Sequence, residues 1–181
     1  MTTQTNIPTL ASLDYLPYLN EGGLFDESFA KKVGVYAIFD EAKNLQFIGY
    51  SRDISLSLKQ HFVRQCDRCY WFKVETIDRP SRSILEQIRD AWIAENGSVP
   101  PGNGEDEAKW TQAIDVKTMM TEEERESYEK VSGYELSQIK CLKKIARRVE
   151  AELLETLQAR GLSEKLRFNP KQKETGLLDL K

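Results

Sequence analysis

Between residues 36 and 86 the chain gathers the side-chain types that handle protons and metals. Among them are the phenol of Tyr36, the imidazole of His61, the thiols of Cys66 and Cys69 and the carboxylate of Glu86. A phenol takes or relays a proton when its neighbours lower its pKa from about 10, and an imidazole does so near pH 7. A carboxylate on a rigid helix suits Mg²⁺, which takes few protein ligands and keeps its waters. His61 is the chain's sole histidine, and a lone histidine on a helix flank serves structure as readily as chemistry. Cys66-Asp-Arg-Cys69 has the spacing of a zinc or redox pair. His61 and the remote Cys141 would complete four zinc ligands, but a second close cysteine pair is missing. The pair follows a helix, where the dipole raises a thiolate's pKa, so plain thiols are the simpler reading.

Charge is unevenly spread around these groups. From Arg52 to Arg82 seven basic residues (Arg52, Lys59, Arg64, Arg68, Lys73, Arg79, Arg82) stand against four acids, and from Glu105 to Glu129 nine acids stand against three bases. The first stretch could turn a positive face to phosphates, and the plainer alternative is two solvated faces. A net charge of −3 and a pI near 5.4 argue against a protein that simply coats DNA. With 181 residues, 40% hydrophobic and 30% charged, the chain suits one globular domain with appendages. No run approaches the roughly 18 apolar residues of a membrane span, and the N-terminus lacks a signal-peptide pattern. Three cysteines form no secreted disulfide framework, so a reducing compartment, the cytoplasm, is expected.

The elements that must position these groups follow from periodicity. Residues 1–8 are polar and expected to fray, and Ala11–Leu19 suggests a short helix or turn that Pro17 limits. Val33–Asp40 and Leu45–Tyr50 read as strands joined by a polar turn. Their alternation sets Val33, Val35, Ala37 and Phe39 on one face, with Tyr36 and Ile38 on the other. Ser51 or Asp53 caps a helix to about Arg64, with Ile54, Leu58 and Phe62 as its buried stripe and Ser57 and His61 sharing a face. Cys69–Ile77 is a third strand, and Ser81 opens a helix striped by Ile84, Leu85, Ile88 and Trp92, with Glu86 on its flank. Asn96–Gly104 is a loop, Glu105–Val116 an acidic connector, and Thr121-Glu-Glu-Glu a capping box opening a short helix. A long helix spans about Tyr134–Arg160, with Ile139, Leu142, Ile145, Val149, Leu153 and Leu157 on one side, and a tail follows. That stripe could pack on the domain or pair with a partner helix.

The stretch Val33–Phe62, with GVY at Gly34–Tyr36 and FIG at Phe47–Gly49, resembles the signature of the GIY-YIG nuclease superfamily. The resemblance implies a small antiparallel sheet flanked by helices over about Val33–Asn103, cutting phosphodiesters around one divalent metal. Tyr36 then matches the first tyrosine, His61 the helix histidine, Glu86 the metal glutamate and Asn103 the closing asparagine. Phe47 stands at the second tyrosine and Ser57 at the helix arginine. Phe47 lacks the second phenol, and Ser57 lacks the guanidinium that clamps a phosphate bidentately. Losing one such stabiliser typically costs on the order of 10²–10³-fold in rate. Arg52, at the helix mouth, could reach the same phosphate, beside Lys59 and Arg64 as further substrate-binding candidates. More narrowly, GVYAIFDEAKNLQFIGYSRDI with the later WIAENGSVPPGN is similar to the N-terminal domain of plant chloroplast monothiol glutaredoxins, over about Gly34–Gly104. Those domains share the phenylalanine and the missing arginine, and nuclease activity has been attributed to them. No Cys-Gly-Phe-Ser motif is present, and a cyanobacterial origin would fit.

These readings combine into an α+β domain with a three-stranded antiparallel sheet and a helical C-terminal extension. Its segments are a covering stretch at 1–32, the sheet domain at 33–104, a connector at 105–133, and a long helix with tail at 134–181. The expected function is nucleic-acid binding with weak Mg²⁺-dependent cleavage, Tyr36, His61 and Glu86 doing chemistry and Glu86 holding the metal. The alternative is a catalytically degenerate binding or redox-interaction module, with a glutaredoxin or another protein as partner and no membrane.

Overall fold

A computed structural model of the chain describes residues 6–181. The chain forms two compact units, Met1–Thr111 and Gln112–Lys181, and the architecture is α+β with an antiparallel sheet and a helical C-terminal part.

In the first unit, strands β2 (Val33–Phe39), β3 (Leu45–Ser51) and β4 (Trp71–Ile77) pair antiparallel. The β2–β3 turn is closed by Asp40, whose carboxylate accepts from the Asn44 amide at 2.8 Å. A fourth strand, β1 (Leu16–Pro17), extends the sheet where the sequence predicts a helix or turn. Proline has no amide hydrogen and cannot sit inside a helix, but an edge strand tolerates it. The strand order β1-β4-β2-β3 makes β2 central and β3 an edge.

Alternation along β2 divides the core between two helices. Val35, Ala37 and Phe39 pack with Ile48 of β3, Leu10, and Leu85, Ile88 and Trp92 of α2 (Arg82–Asn96). Tyr36 points the other way, toward α1 (Ile54–Gln65), which Asp53 caps through the Leu56 amide and which buries Ile54, Leu58 and Phe62. The stretch before β1 is strapped to α2. The Glu95 carboxylate accepts from the Leu10 and Ala11 amides at 2.8 and 2.9 Å. The Trp92 indole donates to the Pro8 carbonyl at 3.0 Å, and Ile7 packs on the core. The expected fraying therefore fails for residues 6–8, and residues 1–5 lie outside the described residues. After α2, a 3₁₀ turn at Pro101–Asn103 leads into α3 (Glu107–Thr111), which places Trp110 wholly inside the first unit.

In the second unit, α4 (Glu122–Lys130) opens on the expected capping box, Thr121 and Glu124 bonding each other's backbone amides. On α5 (Glu135–Ala159), Leu142, Ile145, Val149 and Leu157 are buried, while Ile139 and Leu153 are half-buried. The Arg148 guanidinium holds Glu124, the Met119 carbonyl and Glu152 together. The expected tail is instead packed. Leu162, Phe168 and Leu178 are buried, α6 (Pro170–Lys173) precedes β6 (Leu177–Leu178), and β6 pairs with β5 (Ile114–Asp115). Burying such side chains contributes about 1.5–3 kcal/mol each, enough to order a segment that shows no long periodicity. Among the described residues no helix is long and apolar enough to cross a membrane.

Candidate functional site

A cleft of about 540 Å³ opens at the β3 edge of the first unit. Because neighbouring side chains on β3 point to opposite faces, the cleft draws from both layers. Tyr36, Phe47, Ser57, His61 and Arg64 line it from the α1 side, and Tyr50, Arg89, Asp90 and Ile93 line it from the α2 side. Ser57, His61 and Arg64 are spaced i, i+4, i+7 and so share one face of α1.

At its base the Tyr36 hydroxyl and His61 Nε2 are 2.8 Å apart, both residues buried. Burial, ahead of the Arg64 charge, lowers the His61 pKa to about 3, with a small opposing pull from the Trp110 carbonyl. Burial also raises the Tyr36 pKa, opposed by the polar Ser57 side chain and by the Arg64 charge. Both side chains are therefore neutral at pH 7. The nearby Trp110 carbonyl favours the single ring proton on Nδ1, although Nδ1 makes no hydrogen bond of good geometry. We accordingly assign Tyr36 as donor and Nε2 as acceptor. Phe47 packs in this base as an aromatic, its ring stacked on Trp110 at 5.3 Å and 4° and 4.6 Å from His61.

The other candidate residues are placed as follows. Arg64 lines the cleft, and its Nη1 donates to the Trp110 carbonyl at 2.9 Å. Lys59 faces Glu27, with which it pairs, and the Phe25 ring. Five residues on a helix turn about 140°, which separates Lys59 from Arg64. Arg52 is exposed and lines a neighbouring hollow of about 340 Å³ with Tyr50, Ser81 and Arg82. Glu86 sits on α2, where Oε1 accepts from Arg82 Nε at 2.8 Å and from the Tyr50 hydroxyl at 3.2 Å. The Arg82 hydrogen bond is the first cause that lowers its pKa. Tyr50 thus links Glu86 to the cleft.

Asn103 clamps the β3 edge. Its Oδ1 accepts from the Ile48 amide and its Nδ2 donates to the Ile48 carbonyl, both at 2.7 Å. An edge strand otherwise leaves these groups unpaired. Asn103→Ala removes both bonds and is expected to cost about 2 kcal/mol, read from urea denaturation by tryptophan fluorescence. An unchanged midpoint would show that the clamp contributes nothing.

Ser57, the residue without the expected guanidinium, donates to Ser51 Oγ at 2.7 Å. Sequence reasoning missed Arg89, Tyr50 and Trp110. The signal for Arg89 was its i, i+3 spacing from Glu86 on a helix whose other face is core. Cys66 follows α1 directly and is half-buried, and Cys69 is buried. Among the described residues no three His, Cys, Asp or Glu side chains gather to hold a metal. His61, Cys66 and Cys69, the close members of the zinc alternative, form no such group. Glu86 can still offer a single carboxylate oxygen, Oε2, to an ion that takes its other ligands from water. That suits Mg²⁺ and no cation needing a protein cage.

No protein-family model matches the chain. Over 81 residues, 42% of its length, it is 37% identical to the bifunctional monothiol glutaredoxin-S16 of Arabidopsis thaliana chloroplasts. The matched part spans 28% of that protein, so the similarity covers a portion of each chain.

Proposed function

We propose that the first unit is a GIY-YIG-type domain that binds nucleic acid in this cleft and cleaves its phosphodiesters slowly. The Tyr36–His61 hydrogen bond at 2.8 Å, in a cleft also lined by Arg64 and Arg89, carries this reading. In the proposed reaction the Tyr36 oxygen takes a proton from the attacking water while its own passes to His61 Nε2, so neither side chain need ionise beforehand. Arg64 holds positive charge beside the base of the cleft, and Phe47 and Trp110 exclude stray water from it. Mg²⁺ on Glu86 would supply charge to a phosphoryl oxygen.

The same side chains set the rate low. A histidine whose pKa is about 3 is a weak proton acceptor, and position 47 offers no second phenol. This favours, as a second reading, a domain that binds without cutting. Incubating purified protein with plasmid and Mg²⁺, beside Glu86→Ala and Tyr36→Phe, separates the two. Slow nicking by the parent that falls to background in both variants is expected. Nicking unchanged in both would mean another site or a contaminant, and salt-dependent binding without nicking would leave the binding module. The similarity to a glutaredoxin also supports a protein partner, its simplest form a mixed disulfide made when the Cys66 thiolate attacks a disulfide already present on the partner, whose second sulfur leaves as a thiolate.

A further inference from the structure

Position 57 gives this cleft a hydroxyl in place of a guanidinium, but α2 brings one in from the opposite side. Arg89 lies one turn beyond Glu86 and lines the same cleft as Tyr36, His61 and Ser57. Its guanidinium carbon sits 5.5 Å from the centre of the Tyr50 ring, and its Nε donates to Asp90 Oδ1 at 3.0 Å. These two contacts restrain the group, and among the described residues Nη1 and Nη2 make no hydrogen bond. The other arginines are disposed differently, and Arg52 lines the neighbouring hollow and not this cleft. Arg64 commits Nη1 to the Trp110 carbonyl, and Arg82 is tied to Glu86 on the exposed flank of α2.

We infer that Arg89 is the phosphate-binding guanidinium of this cleft, gripping one phosphodiester through the two Nη groups that Tyr50 and Asp90 leave free. This rests on the proposed nucleic-acid-binding reading. A planar fork matches two phosphate oxygens in a way a lysine or a serine does not. Preorganisation by the ring and Asp90 lowers the rotamer entropy lost on binding. Asp90 and Glu107 also line the cleft and offset the charges of Arg64 and Arg89. The cleft therefore selects by the geometry of the fork, and the number of phosphates neutralised there is small.

The test is the affinity of the full chain for a short fluorescein-labelled oligonucleotide, read by anisotropy without Mg²⁺ across about 50–200 mM salt. Arg89→Ala is expected to weaken binding about tenfold and to lower the slope of log K against log salt by about 1. Arg89→Lys is expected to keep the slope while losing most of the affinity, because a point charge releases counterions without forming the fork. A purely structural Arg89 would change the urea midpoint and leave the slope alone. Parent binding with Arg89→Ala equal in affinity and slope overturns the assignment and leaves the binding reading standing. No salt-dependent binding by the parent overturns both.

Discussion

The first unit is expected to lose about 2 kcal/mol of stability between pH 7.5 and pH 5, and His61→Gln is expected to abolish that loss. His61 is 4% exposed, and burial holds its folded pKa at about 3, against an ordinary value of 6.5. At pH 7.5 both folded and unfolded chains carry it neutral, so it adds no pH dependence there. As pH falls through 6.5 the unfolded chain takes up a proton that the folded chain refuses until about pH 3. Stability therefore falls by about 1.4 kcal/mol per unit across that window and levels off below it. Two features make the measurement clean. His61 is the only histidine, so the limb between pH 6.5 and pH 5 has one source, before the carboxylates titrate. Trp71, Trp92 and Trp110 all lie in the first unit, so tryptophan fluorescence in urea follows that unit. His61→Gln also alters the bond to Tyr36 and shifts the midpoint at neutral pH. The change in slope with pH, not the absolute level, is the readout. A parent whose stability is flat from pH 7.5 to pH 5 would mean that His61 is not held neutral by burial.

His61 also shows how far the sequence could be read. The i, i+4 spacing from Ser57 gave its helix face, and the alternation of β2 gave the face of Tyr36. Together these two periodicities imply that the residues meet. Nothing in either pattern implied that the pair would be desolvated, because its cover comes from elsewhere. Trp110 arrives from α3, inside a stretch whose composition reads as an acidic connector, and Phe47 stacks on it. Strands β2 to β4 and helices α1, α2 and α5 were legible because each repeats its pattern over two or more turns or alternations, and α4 because Thr121 and Glu124 form a capping box. Strand β1 and the β5–β6 ladder have two residues each, too few for any alternation to show. The same limit explains why residues 162–181 read as a tail. Arg89 was hidden for another reason. A surface arginine acquires a role here only through the strand order, which makes β3 an edge and lets α2 and α1 open onto one cleft.

Gly34→Ala is expected to destabilise the first unit by about 3 kcal/mol, whereas Gly49→Ala is expected to keep most of the stability and lose the Tyr36–His61 contact. Both glycines lie within two residues of an aromatic in the sequence, but their surroundings differ. A Cβ at Gly34 would lie 2.3 Å from the Glu75 carbonyl oxygen and 2.9 Å from the Thr76 Cα. Those atoms belong to β4, paired with β2 at the centre of the sheet, so relief requires the strands to separate and their ladder bonds to lengthen. Overpacking against backbone lies at or beyond the upper end of the usual 1–3 kcal/mol. At Gly49 the nearest atoms are side chains instead, Phe47 Cε1 at 2.6 Å and the Tyr36 hydroxyl at 2.8 Å. A methyl group there displaces two rings that border an open cleft, at about 1–2 kcal/mol. The displaced phenol leaves His61 Nε2 without its donor, and the loosened ring packing admits water to the imidazole. His61 in Gly49→Ala should then titrate closer to 6.5, which ¹⁵N chemical shifts of the ring would follow. Urea midpoints separate the two glycines in the opposite order. Equal destabilisation by both, with His61 unmoved in Gly49→Ala, would mean that the second glycine serves strand packing and not the position of Tyr36.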